Sequence, residues 1–208
     1  MKYLKMFGLA AVAVMAMALL GAGSASATVL CKENAIPCPE AKIYKAKTNV
    51  TATVEAKTSM VFKSTGGSTL DTCSGGRIEG ETENVGKKGE AVKINLAQFS
   101  FFECTFATLV RELGPLEINY IGPETRGTFT LKKTKVTINT AFGSCVYGVG
   151  EPAIDIGTAK GTTETPATLS VLAVVSKFEG SVVCPTTVVW EASYDFTEPT
   201  PLYFKEGE

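Results

Sequence analysis

The chain has 208 residues, with 20 lysines and arginines against 21 aspartates and glutamates, six cysteines and no histidine. A content of 45% hydrophobic and 20% charged residues is that of a globular protein and excludes wholesale disorder. A formal charge of −1 leaves no basic footprint for nucleic acid, and the missing imidazole excludes Ser-His-Asp triads, Cys-His dyads and histidine-ligated zinc.

The chain begins with Lys2 and Lys5, an apolar run from Met6 to Leu20, and small residues ending in Ala25-Ser26-Ala27. This is the pattern of a secretory signal peptide over 1–27, cleaved after Ala27 to leave an exported region over 28–208. The apolar run is shorter than the ~20 residues a bilayer span needs. A lipid anchor on Cys31 is disfavoured because Leu30, not a small residue, precedes it. Further on, the most apolar stretch is Leu169 to Val175, which suits a buried strand rather than a membrane segment. The mature chain is therefore expected to be secreted or otherwise extracytoplasmic, with no transmembrane segment.

In an exported chain, Cys31, Cys38, Cys73, Cys104, Cys145 and Cys184 read as three disulfides. A thiolate metal site would need C-x₂-C spacings, which are absent. Cys31 and Cys38 are neighbours with Pro37 between them, which favours a local loop. Thr72-Cys73-Ser74-Gly75-Gly76 and Ser144-Cys145-Val146-Tyr147-Gly148 are similar settings. Each is followed by glycines and an apolar strand, Ala91 to Phe102 or Ala167 to Phe178, that ends near Cys104 or Cys184. We read a weak internal repeat of one β unit, with halves at about 41–121 and 126–208, and prefer the pairs Cys31–Cys38, Cys73–Cys104 and Cys145–Cys184. Chance likeness among short strands is the alternative.

Along the chain, period-two alternation marks strands. Val50, Ala52, Val54 and Ala56 share one face, and Val92, Ile94 and Leu96 another. Phe129 alternates in phase with Leu131, and Val136 with Ile138. The longest run is Val188, Trp190, Ala192, Tyr194 and Phe196 against Val189, Glu191, Ser193, Asp195 and Thr197. Breakers such as Gly66-Gly67, Gly114-Pro115, Gly122-Pro123 and Glu151-Pro152 cut the chain often, and no segment sustains a 3.6-residue period. The expected fold is all-β, an antiparallel β-sandwich or, alternatively, a β-barrel.

Three pieces carry a family likeness: Cys31-Lys32-Glu33 through Pro37-Cys38, Gly143-Ser144-Cys145-Val146-Tyr147-Gly148, and the tail from Tyr194 to Tyr203. They resemble a group of uncharacterised exported proteins of soil actinobacteria, of the Solirubrobacter kind. The resemblance implies export from a bacterium and brings no activity.

No nucleophile elbow, S-x-x-K motif or calcium loop occurs, and no motif calls for a cofactor or metal. Carboxylate pairs could still serve glycoside cleavage. Glu79, Glu81 and Glu83 lie on one strand face with Arg77, which reads first as a solvated face. Glu103, between Phe102 and Cys104, reads as a turn or edge residue, with a buried acid as the alternative. Phe99, Phe101, Phe102 and Phe106 occupy both faces of one strand, and Trp190 and Tyr194 could line an apolar ligand cavity; core packing is the simpler reading of both groups. The leading functional expectation is a non-enzymatic binding or structural module with an extracellular or envelope partner. A barrel that carries an apolar ligand and a carboxylate-based hydrolase are the alternatives. If the export reading holds, N-terminal sequencing of the exported protein gives Thr28 as the first residue; a retained Met1, or a lipid on Cys31, would refute it.

Overall fold

The computed structural model describes residues 27–86, 89–122, 125–162 and 166–207, so the signal-peptide reading lies outside the described residues up to position 26. The strands are β1 (Ala27–Cys31), β2 (Asn49–Val54), β3 (Met60–Ser64), β4 (Thr69–Thr82), β5 (Val92–Cys104), β6 (Ala107–Glu112) and β7 (Leu116–Tyr120). They continue as β8 (Arg126–Leu131), β9 (Thr134–Thr140), β10 (Gly143–Val149), β11 (Ile154–Lys160), β12 (Thr168–Gly180), β13 (Thr187–Glu198) and β14 (Tyr203–Gly207). A short 3₁₀ turn at Glu40–Lys42 is the one helical piece among the described residues, and none of their helices is long and apolar enough to cross a membrane.

Every strand pair is antiparallel, and the pairings close on themselves. β13 is bonded along one edge to β12, with Trp190 opposite Ala173, and along the other to β3 and β2, with Trp190 opposite Phe62 and Tyr194 opposite Val54. Following the ladders from β13 through β2, β4, β5, β7, β8, β11 and β12 returns to β13. This is a closed lower storey. The upper storey runs through β13, β3, β4 and β5, then β6, β9, β10 and β12, with no ladder between β5 and β6. The sandwich is thus joined at its edges into a barrel, and the long strands β4, β5, β12 and β13 run through both storeys.

The ladders also repeat. In the first half β2 and β3 share one edge of β4, and β5 takes the other. In the second, β8 and β9 pair in the same way with β11 and β10, which together stand where β4 stands, and β12 takes the other edge. Cys73 faces Cys104 across β4 and β5, while Cys145 faces Gly180 across β10 and β12. The disulfides are Cys31–Cys38, Cys73–Cys104 and Cys145–Cys184. Such bonds fit an oxidising, extracytoplasmic compartment.

Inside, the alternation of β13 places Val188, Trp190, Ala192, Tyr194 and Phe196 in the core, all at most 7% exposed. β5 changes phase at a bulge, where Glu79 pairs with Gln98 and Gly80 with Leu96, leaving Ala97 unpaired. Val92 and Ile94 point inward before it and Phe99 and Phe101 after it, whereas Phe102 is 46% exposed on the outer face and Phe106 lies beyond the strand, so the four phenylalanines do not all pack in the core. Gly80 is required at the bulge, because a Cβ there would lie 2.5 Å from the Asn95 carbonyl oxygen. Phe99, Phe101, Phe62 and Trp190 fill the upper storey, with neighbouring ring centroids 4.7–6.4 Å apart. Phe129, Phe196 and Phe204 fill the lower one at 5.8–5.9 Å. Phe204 comes from β14, which pairs with β1 as a two-stranded cap over the lower end.

Two expectations need correction. Ala56 does not continue the inward face of β2; the strand stops at Val54, and Ala56 is exposed in a turn beside Lys57, whose φ is +67°. Leu169 to Val175 is not buried on both faces. Leu169, Val171, Ala173 and Val175 point inward, but Leu172 is 69% and Val174 56% exposed, because β12 lies in a single-layered barrel wall. Trp190→Ala should cost about 3–5 kcal/mol in denaturant melts, the range for a buried aromatic. The wild-type emission should be blue-shifted and resist acrylamide. Ready quenching with little loss of stability would put the core on the opposite face of β13.

Candidate functional site

The barrel interior is nearly full. Trp190 borders a cavity of about 20 Å³ lined by Phe99, Phe101, Val136, Tyr147 and Val175. That is room for one water, against ~300 Å³ or more for a small-molecule site. Tyr194 does not line it; its hydroxyl meets the Met60 sulfur at 3.4 Å. Among the described residues, the buried Tyr147 hydroxyl and Trp190 indole N–H have no hydrogen-bond partner. The two cavity candidates are therefore separated, and the space beside Trp190 cannot hold a carried ligand.

The acidic residues are spread over the outside. Arg77, Glu79 and Glu81 point outward from β4, with Arg77 paired to Glu79. They share a surface depression with Asn49 and Glu198. Glu83 follows β4 and lies in a different depression with Glu90 and Glu117, the last of which is paired to Lys132 at 3.1 Å. The sequence run of glutamates is thus divided between two surfaces. Glu103 is exposed at the end of β5, has φ +50°, and accepts a hydrogen bond from the Ser74 hydroxyl on β4, so it is not a buried acid.

Two buried charged residues escaped the sequence reading. Asp71, 1% exposed, accepts hydrogen bonds from the Thr72 N–H at 2.9 Å, the Phe106 N–H at 3.0 Å and the Thr108 hydroxyl at 2.5 Å. It ties the β5–β6 connection to β4 where the ladder is missing. Its carboxylate also lies beside Cys73 and Cys104, but both sulfurs are held in their mutual bond, so no thiolate is offered to a metal. Lys205, also 1% exposed, donates to the Asn34 side-chain oxygen at 2.6 Å, and burial lowers its pKa. Nothing in a linear spacing marks either residue, because each partner is distant in sequence or fixed by a turn.

The upper end stands apart from the rest of the surface. Its connections over 65–68, 105–106, 141–142 and 181–186 contain no charged residue. Val182 and Phe142, 98% and 80% exposed, are the most exposed large apolar side chains among the described residues, and Val183 beside them is 60% exposed. The 181–186 connection is joined to β10, the strand that follows Phe142, by the Cys145–Cys184 bond, with the Cys184 sulfur 3.8 Å from the Ser144 carbonyl oxygen. Among the described residues, nothing comparable to the β1–β14 cap covers this end.

The chain matches no family model, no curated protein and no solved structure.

Burial pushes the Tyr147 phenol up to about 12 from 10.0, and it raises Tyr194 as well. Above pH 10 the unfolded chain loses these protons while the folded chain keeps them, so stability falls as pH rises through that window. Urea melts from pH 9 to pH 12 should show this fall, and Tyr194→Phe should flatten it. In absorbance at 295 nm the two phenols should ionise only as the fold is lost; their titration near pH 10 in a still-folded protein would show that they are solvated.

Proposed function

We propose that the protein is an exported, non-catalytic binding module of the cell envelope or extracellular space, which meets its partner through the upper, disulfide-joined end. The observation that carries this reading is the pairing of a closely filled barrel with an end whose four connections contain no charged residue and on which Phe142, Val182 and Val183 stand exposed. A side chain in water contributes nothing to the core, and burying a Phe or Val gains roughly 1.5–3 kcal/mol, so such an end gains from contact. The filled interior argues against the carrier alternative. The hydrolase alternative needs two carboxyl groups facing one cleft about 5–10 Å apart, one of them held protonated. Glu79 and Glu81 stand on the outer face of β4 with Arg77 paired to Glu79, on an open surface rather than across a cleft.

Fractionation of a bacterial host that exports the protein tests the reading. The wild type should be retained with the envelope fraction, and the triple variant Phe142→Ser, Val182→Ser, Val183→Ser should shift to the freely soluble extracytoplasmic fraction. The variant should keep the wild-type melting temperature, because the three side chains are exposed. An unchanged distribution would refute a binding role for this end.

A further inference from the structure

The two-fold repetition of the ladders supplies an internal comparison for the upper end. The β3–β4 connection, Thr65-Gly66-Gly67-Ser68, occupies in the first half the place that Ala141-Phe142 occupies between β9 and β10. The β5–β6 connection, Thr105-Phe106, corresponds to Ser181–Thr186 after β12, and Phe106 packs against the core. The first half thus makes these turns with no exposed large apolar side chain, so the fold does not require those of the second. Phe142, Val182 and Val183 are additions to the scaffold, on two connections at the same end, one of which is tied by a disulfide to the strand that follows the other.

Resting on the binding reading above, we infer that the partner of this end is the neutral surface of a lipid bilayer, into which Phe142, Val182 and Val183 insert as a shallow wedge. Three features favour that occupant. The apolar groups stand on the crests of turns rather than in a groove, so a rigid protein partner would have to supply a pocket for each, whereas the headgroup–acyl boundary deforms around them. Three side chains are few for a specific protein interface, which buries about 1,200–2,000 Å², but suffice for reversible interfacial anchoring. The four connections contain no lysine or arginine; of the cations beside them, Lys177 donates its ammonium to the carbonyls of Ser181 and Cys184, and Arg111 is paired with Glu179. With these cations engaged within the protein, contact with anionic headgroups gains little there, and the three apolar tips carry no charge of their own toward the hydrocarbon.

The test is flotation of the mature, disulfide-bonded protein with phosphatidylcholine vesicles. The wild type should float, with a weak partition constant on the order of 10⁴ M⁻¹, comparable to a single acyl chain. The triple serine variant should lose at least about tenfold, given that each ~1.4 kcal/mol of lost burial is a factor of ten. Adding phosphatidylglycerol should change binding less than about twofold. A second variant reads insertion directly: in Val182→Trp the introduced indole should shift to shorter wavelength on adding phosphatidylcholine vesicles and be quenched by brominated lipid, over the constant background of buried Trp190. Absence of wild-type flotation, equal flotation of the serine variant, or binding that requires phosphatidylglycerol would each overturn the inference. So would sedimentation showing a wild-type dimer that the serine variant abolishes, since a second copy would then occupy the end. If the serine variant leaves the envelope fraction in cells but neither protein touches vesicles, the inference fails while the binding reading stands.

Discussion

The fold depends on neither half closing alone. Each half contributes four neighbouring strand positions and ends in a strand whose free edge is taken up by the other half. β13 closes on β2 and β3, while β6 and β7 close on β9 and β8. A four-position sheet by itself would leave two long edges of unpaired amides and carbonyls, a template for aggregation. Crosswise closure removes these edges from the lower storey. It also makes the core common property: Trp190 of the second half packs between Phe62 and Phe99 of the first.

Closure is weakest where β5 and β6 diverge, and the chain concentrates covalent and polar ties at that place. Cys73–Cys104 locks the end of β5 to β4, and Asp71, two residues before Cys73, holds both Phe106 and Thr108. An unladdered seam would otherwise open at the cost of packing alone. In the second half the corresponding position needs no such buried carboxylate, because β13 is laddered to β12 along Thr168–Ser176 and the disulfide lies on the other side, at β10. On chain-entropy grounds the Cys31–Cys38 loop contributes roughly 2.5 kcal/mol and each long loop roughly 3.7–3.9 kcal/mol as upper figures. Together these rival the ~5–15 kcal/mol stability of an ordinary domain. In a reducing compartment the same chain would hold its β5–β6 seam by hydrogen bonds and packing only.

What was legible in the sequence was whatever has period two or a local turn. The inward face of β13, the Phe129 and Val136 faces and the cysteine settings all follow from residues one to four apart, and the three bonds in the structure are the pairs those settings favoured. The phase change in β5 was not legible, since a bulge leaves the same apolar residues in the text and only shifts which face they take. Nor was the exposure of Leu172 and Val174, because an apolar run does not say whether its strand is covered on one side or both. The sequence singles out neither Asp71 nor Lys205, because their burial is set by contacts 35 and 171 residues away. The apolar end was invisible for a related reason. Phe142, Val182 and Val183 reach the same end only through the β9–β10 and β10–β12 ladders and the Cys145–Cys184 bond.

That bond bears on binding as well as on folding. A loop that must be ordered as it binds loses part of its contact free energy to conformational entropy, about 0.5–1.5 kcal/mol for each immobilised rotamer-rich side chain. At the upper end most of that loss is met when the protein folds. The connection over 181–186 is short, contains Pro185, and is fixed to β10 through Cys184; Lys177 further binds the carbonyls of Ser181 and Cys184 at 3.2 and 3.1 Å. Val has a single soft side-chain torsion and Phe two, so little further freedom remains to be lost on contact. The ammonium of the lysine that braces the turn is engaged by two backbone carbonyls of the same connection. Val182 and Val183 thus stand on a turn that Cys184, Pro185 and Lys177 hold in place, beside the β9–β10 hairpin that carries Phe142.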